Sequence, residues 1–498
     1  MLTETLPQKE QDPSVGTSGR LHDDAPLASG ERVVWISADE AQAASLPCAS
    51  GAPALSARDG MTTGQKLVVA VVVLAACAAP CVPALRLALL LAVGCLILGA
   101  SLLRIVAALA SLDLQPADAP VHDAMLPSYT VMVPLYREAA VVPQLLAALD
   151  ALDYPRALLD VKLLLEAADP VTLAAVLAER LPSHVEVLVM PDGAPRTKPR
   201  ALNAALARAR GDLVTVFDAE DLPDRDQLRL AAARFAAQPD LACLQARLAI
   251  DNGDDGWLCG LFAIEYAVLF DVLNPGLAKL RLPILLGGTS NHFRRAALEA
   301  TCGWDAWNVT EDADLGLRLA RLHLRVEVLA SSTLEEAPAD PQAWLRQRRR
   351  WMKGWVQTAG VHFRHPQQLF RQLGPRDGMA ALLILANGLL MPLFGIPLTA
   401  LFAHDLVNGA LFRSVSPLGV ALDLFWCLNG VMGLAALILP LCLAFRRRRL
   451  ARWRGALLFM PLRWGLMTLA GWAALVDLWR RPFYWGTTSH GRARRPLG

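Results

Sequence analysis

Long apolar stretches bracket the middle of this 498-residue chain, and they limit its fold more than any other feature. Residues 66–111 are largely apolar, broken by Pro80, Pro83 and Arg86, and exceed one bilayer span of about 20 residues. Two helices joined by a tight turn fit this stretch. Residues 379–403 and 417–445 are each long enough to cross a bilayer, and Arg446 to Arg449, Arg452 and Arg454 follow directly behind the second. The chain is 54% hydrophobic and 19% charged, too apolar for a soluble protein of this length, so part of it is expected in the lipid bilayer. The formal net charge of +2 hides an arginine-rich C-terminal third. Basic flanks around apolar runs point to the cytoplasmic face of a membrane, not to nucleic acid.

Residues 455–478 pose a parity problem. If they crossed, a tail carrying Arg480, Arg481, Arg492, Arg494 and Arg495 would lie outside, against the positive-inside tendency. Arg463 and Trp464 suit a helix lying in the interface, and we read it so. At the other end, residues 1–62 are rich in Pro, Gly, Ser, Ala and acids without sustained periodicity, and are expected to be mostly disordered, with a short strand at 32–37. They lack the basic start and apolar core of a signal peptide. Nine scattered cysteines, none in a CxxC pair, indicate neither a disulfide framework nor a zinc site.

Between the apolar ends, residues 128–366 read as an α/β domain. Short β-rich runs at 129–135, 161–165, 185–190 and 213–217 alternate with Ala- and Leu-rich segments such as 201–210, which predicts helices crossing between strands of a mostly parallel sheet. Ligands then bind at the C-terminal strand ends, where Asp169, Asp192 and Asp218 fall. The boundaries expected are a hairpin over 63–112, a catalytic domain over 113–370 and a membrane region with two spans, an interfacial helix and a tail over 371–498.

Three motifs carry chemistry. Asp218-Ala219-Glu220-Asp221 follows an apolar strand, and hard carboxylate oxygens there can hold a divalent cation. Thr310-Glu311-Asp312 offers a carboxylate that can remove a proton. Gln347-Arg348-Arg349-Arg350-Trp351 sets a guanidinium for phosphate beside an indole for a sugar face. Each has a plainer reading: an acidic cluster behind a strand is commonly a helix N-cap, and an arginine run is commonly a solvated face, as expected for Arg349. His292 is expected to be structural, and Trp304, Trp307 and Trp344 to be core or interface residues.

Together with the runs at 131–138, 191–199, 286–293 and 308–314, these motifs resemble the bacterial membrane-bound family 2 glycosyltransferases, relatives of cellulose synthase, and most of all the branch that includes the phage adsorption protein B group. The resemblance covers nearly everything after residue 128. It implies a GT-A-type, Rossmann-like α/β domain in the cytosol, flanked by transmembrane helices in the bacterial inner membrane. It implies Asp312 as general base, Asp218 and Glu220 as ligands of Mg²⁺ or Mn²⁺ on the donor, and Asp169, Lys198, Asp218, Gln347 and Arg350 as nucleotide-sugar contacts. Trp351, Glu311 and Gly288 would face the acceptor. Relatives carry an acidic residue where this chain has Ala168, and Lys where it has Thr487 in the tail motif 482–491, which by analogy is a loop closing over the nucleotide.

The implied reaction is inverting transfer from a UDP-sugar, UDP-glucose first among them, to a growing β-glycan. Transfer to a lipid or glycan acceptor without processivity, and a non-catalytic receptor or secretion component keeping the fold, remain alternatives. A channel for polymer built from about four spans would call for a second copy or accessory export subunits.

Overall fold

The computed structural model describes residues 32–46, 55–113, 121–409 and 416–484. Its centre is a nine-stranded mixed sheet with strand order β1-β4-β3-β2-β5-β8-β7-β9-β6. In chain order the strands are β1 (Arg32–Trp35), β2 (Tyr129–Leu135), β3 (Leu159–Glu166), β4 (Val185–Met190), β5 (Leu213–Val216), β6 (Leu222–Pro223), β7 (Leu241–Ile250), β8 (Asn291–Arg294) and β9 (Arg325–Glu335). The first five in spatial order run parallel. β8 then pairs antiparallel with both β5 and β7, while β7 and β9 pair parallel. β2, β3 and β4 are Val- and Leu-rich with almost every residue buried, as strands covered by helices on both faces must be.

Two apolar clusters cover the faces of this sheet. One gathers Val131, Val133, Leu163, Leu165, Val187 and Phe235; the other gathers Met132, Leu164, Leu188, Leu202, Phe293 and Leu315. Odd and even positions of β2 and β3 fall on opposite faces, which is the two-residue period of a strand expressed as packing. This topology brings the loop after β5 and the helix Glu311–Arg321 to one cavity, and the helix Pro341–His362 packs against the latter.

Within the N-terminal segment the strand expected at 32–37 is present as β1, and the described residues beside it carry further ordered elements. β1 adds to the sheet edge beside β4, the helix Ala38–Ala43 lies against Lys198–Leu206, and Asp305 accepts from the Ser56 hydroxyl (2.9 Å) and the Ala57 N–H (2.6 Å). Composition could not show the Asp305 contact, because Ser56 lies 249 residues away. Residues 1–31 and 47–54 lie outside the described residues. Cys302 is disulfide-bonded, one bridge where the scattered cysteines pointed to none.

The described residues include five helices long and apolar enough to cross a membrane: Pro83–Ala110, Trp257–Lys279, Pro366–Val407, Pro417–Arg447 and Leu450–Arg480. In four of them only 17–22% of the most apolar stretch is buried, so their surfaces suit lipid; Trp257–Lys279, at 78%, is instead packed inside the protein. The shorter apolar helix Thr63–Ala78 exposes Leu67, Val71 and Leu74. Arg463, expected at a membrane interface, is buried and ion-paired with Glu265. Asp477 on the same helix meets Arg349 at 3.2 Å, so Arg349, expected on a solvated face, has a tertiary partner while 33% of its side chain stays exposed.

Candidate active site

Four segments converge at the C-terminal end of the parallel strands. The first is the turn after β5. Asp221 is buried there, and its Oδ2 accepts from the Asp218 backbone N–H at 2.7 Å and from the Thr289 hydroxyl. Thr289 also donates to the Val216 carbonyl at 3.2 Å. Tied down in this way, the turn sends Asp218 and Glu220 into the cavity while Asp221 stays beneath them. Thr289 is a site-building residue that no motif announced.

The second segment is the start of the helix Glu311–Arg321, where Glu311, Asp312 and Asp314 share the first turn and so meet the positive end of the helix dipole. Asp314 anchors it. Its Oδ1 accepts from His362 Nε2 at 3.0 Å and its Oδ2 from Arg318, all buried. Gly288 passes close to the base: a Cβ there would lie 3.3 Å from Asp312 Oδ2, so a larger residue would press on that carboxylate.

The third is the helix Pro341–His362, capped by Asp340, whose carboxylate accepts from the Ala343 N–H at 2.8 Å. Gln347, Arg350 and Trp351 are spaced by three and four residues, so all three share one face and line the cavity. Its packing against the Thr310 side chain leaves no room at Gly354, where a Cβ would fall 2.4 Å from Thr310 Oγ1. The fourth is Lys198, first residue of the helix Lys198–Leu206, whose Nζ donates to Asp218 Oδ1 and to the Gly288 carbonyl at 2.7 Å.

These residues surround one cavity of about 730 Å³. Asp218, Glu220, Lys198, Gly288, Glu311, Asp312, Gln347, Arg350 and Trp351 all line it, nine of the ten positions expected from sequence. Burial dominates its electrostatics. It pushes the Glu311 carboxyl up to about 8, with the Asp312 charge adding and Lys198 and Arg350 opposing, and it holds Asp312 above the usual carboxylate range against the same two cations. Burial opposes the charge on Lys198, but the Asp218 carboxylate, with Glu311 and Asp312, outweighs it and raises the ammonium pKa. Burial and the Asp218 and Glu220 charges push Asp221 well up, and Glu335, a further carboxyl lining the cavity, is raised by burial and by all three.

Asp169 is the tenth position, and it does not line the cavity. Its carboxylate caps the helix Pro170–Ala178 through the Thr172 N–H (3.3 Å) and accepts from the Arg137 N–H, which consumes both oxygens. The cavity is reached instead by Ala168 and by Glu166, whose carboxyl burial pushes up to about 7. Trp351 differs in another way: the Arg348 guanidinium lies 4.5 Å from its ring centroid and 4.3 Å from that of Phe262, while bonding Glu265 at 2.7 and 3.1 Å. One face of the indole is thus covered. His292 is structural, as expected, bonded to the Tyr129 hydroxyl (2.6 Å) and Gln227 Oε1 (3.1 Å), with burial pushing its pKa down to about 3. Trp304 and Trp344 are core residues.

Of the tail motif, residues 485–491 with Thr487 lie outside the described residues. Its start is held at the cavity. Lys353 Nζ donates to the carbonyls of Arg481 (3.1 Å) and Tyr484 (2.8 Å), Gln357 Nε2 donates to that of Pro482 (3.0 Å), and Phe483 packs edge-on against Trp307.

The oxygen donors suit a hard cation. Asp221 Oδ1 is buried without a hydrogen-bond partner among the described residues, and the surplus of carboxylates around Asp218 and Glu220 is what a divalent ion would relieve. Among the described residues no three His, Cys, Asp or Glu side chains form a complete cage, as for Mg²⁺-type sites that take the rest of their ligands from substrate phosphates and water.

Residues 127–354 match the family model described as "Glycosyltransferase like family 2", and this part of the chain is a family 2 glycosyltransferase domain. A β-monoglucosyldiacylglycerol synthase from Synechocystis is 31% identical over 239 residues, 46% of this chain and 48% of that protein. The probable glycosyltransferase YdaM of Bacillus subtilis is 25% identical over 46% of this chain and 55% of its own length. A probable glucomannan 4-beta-mannosyltransferase of Arabidopsis thaliana is 26% identical over 50% of this chain and 44% of its own. The chain thus spans about half the length of the curated relatives it matches. Among solved structures, the mannosyltransferase PcManGT of Pyrobaculum calidifontis, determined with GDP-Man and Mn²⁺, superposes with a TM-score of 0.50 at 23% identity, covering 79% of this chain and 99% of that one. The fold is GT-A.

Proposed function

We propose that this chain is an inverting membrane glycosyltransferase that moves a sugar, glucose first among the candidates, from its UDP donor to a growing β-glycan at the cytoplasmic face of a bacterial inner membrane. The observation that carries this reading is Asp312. It lines one cavity with Asp218, Glu220, Gln347 and Arg350, and it stands at the start of a helix beside Gly288, where an acceptor hydroxyl can approach it.

Gln347 Oε1 has no hydrogen-bond partner among the described residues, which leaves it available to the donor, and the Arg350 guanidinium on the same cavity suits the diphosphate. Mg²⁺ or Mn²⁺ on Asp218 and Glu220 would supply charge neutralisation to the departing UDP. Asp312 takes the proton of the acceptor hydroxyl as that oxygen attacks the anomeric carbon, and a single displacement inverts the centre. Glu311 is largely protonated near neutral pH, with its carboxyl at about 8, and can donate to an acceptor oxygen without competing as base. Trp351, which lines the cavity, offers a pyranose ring a flat apolar surface.

Against a non-catalytic protein keeping this fold stand three carboxyls, Asp221, Glu311 and Glu335, that burial and neighbouring carboxylates push upward around one cavity, a pattern that clusters at functional sites. The basic run from Arg446 to Arg449 behind Pro417–Arg447 supports the cytoplasmic placement of the domain. Incubating membranes with labelled UDP-sugars, one at a time, and sizing the products tests the reading. Metal-dependent incorporation from one donor is expected, and no release or transfer of sugar from any of them refutes it.

A further inference from the structure

The cavity does not stop at the carboxylates. Its far wall is aliphatic and comes from three of the apolar helices: Leu103 and Ala107 of Pro83–Ala110, Leu273 and Leu277 of Trp257–Lys279, and Leu383 and Ile384 of Pro366–Val407. The first and third of these helices touch where Gly99 meets Leu383, and the cavity extends along Pro83–Ala110 to the C-terminal side of that contact. The same helices keep most of their outer surface uncovered by protein. A glycan laid against this wall would strip water from its hydroxyls and give nothing in return, whereas an alkyl chain would only gain.

Two donors interrupt the wall. Asn274, 3% exposed, lines the cavity with its Nδ2 unpartnered among the described residues. Arg104 lines it from the neighbouring helix, its Nε making a long 3.4 Å contact with the Ala436 carbonyl. A buried orphan donor beside a guanidinium in an aliphatic surround matches the oxygens that join head to tails in a membrane lipid.

We infer that the acceptor is a membrane lipid with a free hydroxyl and ester-type oxygens, which enters from the lipid side between Pro83–Ala110 and Pro366–Val407. Its tails lie against Leu103, Leu273 and Ile384, its ester oxygens face Asn274 and Arg104, and its hydroxyl reaches Asp312. The inference rests on the transfer reaction proposed above and names the molecule on which any glycan made here begins. The lipid oxygen forms the new bond to the anomeric carbon as the bond to the β-phosphate oxygen breaks, its proton passes to Asp312, and UDP leaves with the bonding pair. A lipid phosphate is disfavoured, because its oxygen is already ionised and has no use for the base.

The test uses the purified full chain in phosphatidylcholine vesicles with its best labelled donor, adding dioleoylglycerol, undecaprenyl phosphate or neither. Organic-soluble labelled product with dioleoylglycerol, at least ten-fold above the other two, is expected. Equal or greater labelling of undecaprenyl phosphate overturns the inference. Long water-soluble polymer made without either lipid also overturns it but leaves the proposed reaction standing, whereas no sugar release or transfer in any vesicle refutes both. Ile384→Trp, which fills the wall, and Asn274→Leu, which removes the orphan donor, should each lower the ratio of lipid-linked to hydrolysed sugar at least ten-fold, a ratio that loss of folded protein does not change. An unchanged ratio in both variants overturns the assignment.

Discussion

Replacing Asp312 by Asn keeps the shape of the side chain and removes its ability to take a proton. General-base catalysis contributes roughly 10²- to 10⁴-fold, or about 2.7 to 5.5 kcal/mol of barrier. The structure argues for the upper part of that range. The neighbouring carboxyl, Glu311, is held up to about 8 and so is mostly protonated near neutral pH, and Asp218, the carboxylate expected on the donor, is tied to Lys198. Donor binding should survive or tighten, because the change removes a negative charge from a cavity crowded with carboxylates and leaves Lys198 and Arg350 with one anion fewer to satisfy. Burial holds the Asp312 carboxyl above its usual range, so activity of the parent should climb with pH through the region above ordinary carboxylate values and level off once Asp312 ionises. The Asn variant should lack that acid limb. Initial rates from labelled donor, with UDP affinity by calorimetry, check this. Turnover within ten-fold of the parent at saturating donor would refute the base assignment.

Asp218→Ala should cut transfer by at least 10²-fold and abolish its response to Mg²⁺ or Mn²⁺, and full activity of the parent in excess EDTA would exclude the metal. Trp351→Ala should depress transfer at least ten-fold more than hydrolysis of the donor by water, since the indole faces the acceptor while Lys198 and Asp218 lie elsewhere in the cavity; equal losses in the two rates would remove it from the acceptor side. Glu311→Gln should stabilise the fold in a pH-dependent way. The folded carboxyl is raised from 4.5 to about 8, so the folded state keeps a proton that the unfolded chain releases, and this group's contribution falls as pH rises across that window. The variant's gain in melting temperature should therefore be absent near pH 4 and largest above pH 8, each pH unit between adding at most about 1.4 kcal/mol; a gain independent of pH would contradict the buried, raised carboxyl.

Much of the chemistry was legible in one dimension, because it depends on short spacings along single elements. The three- and four-residue spacing in Gln347, Arg350 and Trp351 puts them on one helix face wherever that helix packs, and carboxylates directly behind β5 lie at a strand end whatever the neighbours are. Strands β2 and β4 were readable to the residue because they are buried on both faces and so are continuously apolar. The long apolar helices announced themselves for the same reason of length and composition.

What only the tertiary structure decided depends on partners far away in the chain. Asp169 follows a strand as Asp218 does, yet it is consumed by the Thr172 and Arg137 N–H groups, and Glu166 takes its place at the cavity. Arg348, Arg349 and Arg463 read as surface or interfacial cations, but Glu265 and Asp477 pair with them across as many as 198 residues. β7 and β9 pair parallel with shifts in register, which no local period encodes. Nor could spacing disclose that Leu103, Leu273 and Ile384, nearly 300 residues apart at the extremes, form one wall with Asp312 at its end. Side-chain type and local period are properties of a segment; ion pairing, orphaned donors and the shape of a cavity arise only when segments meet.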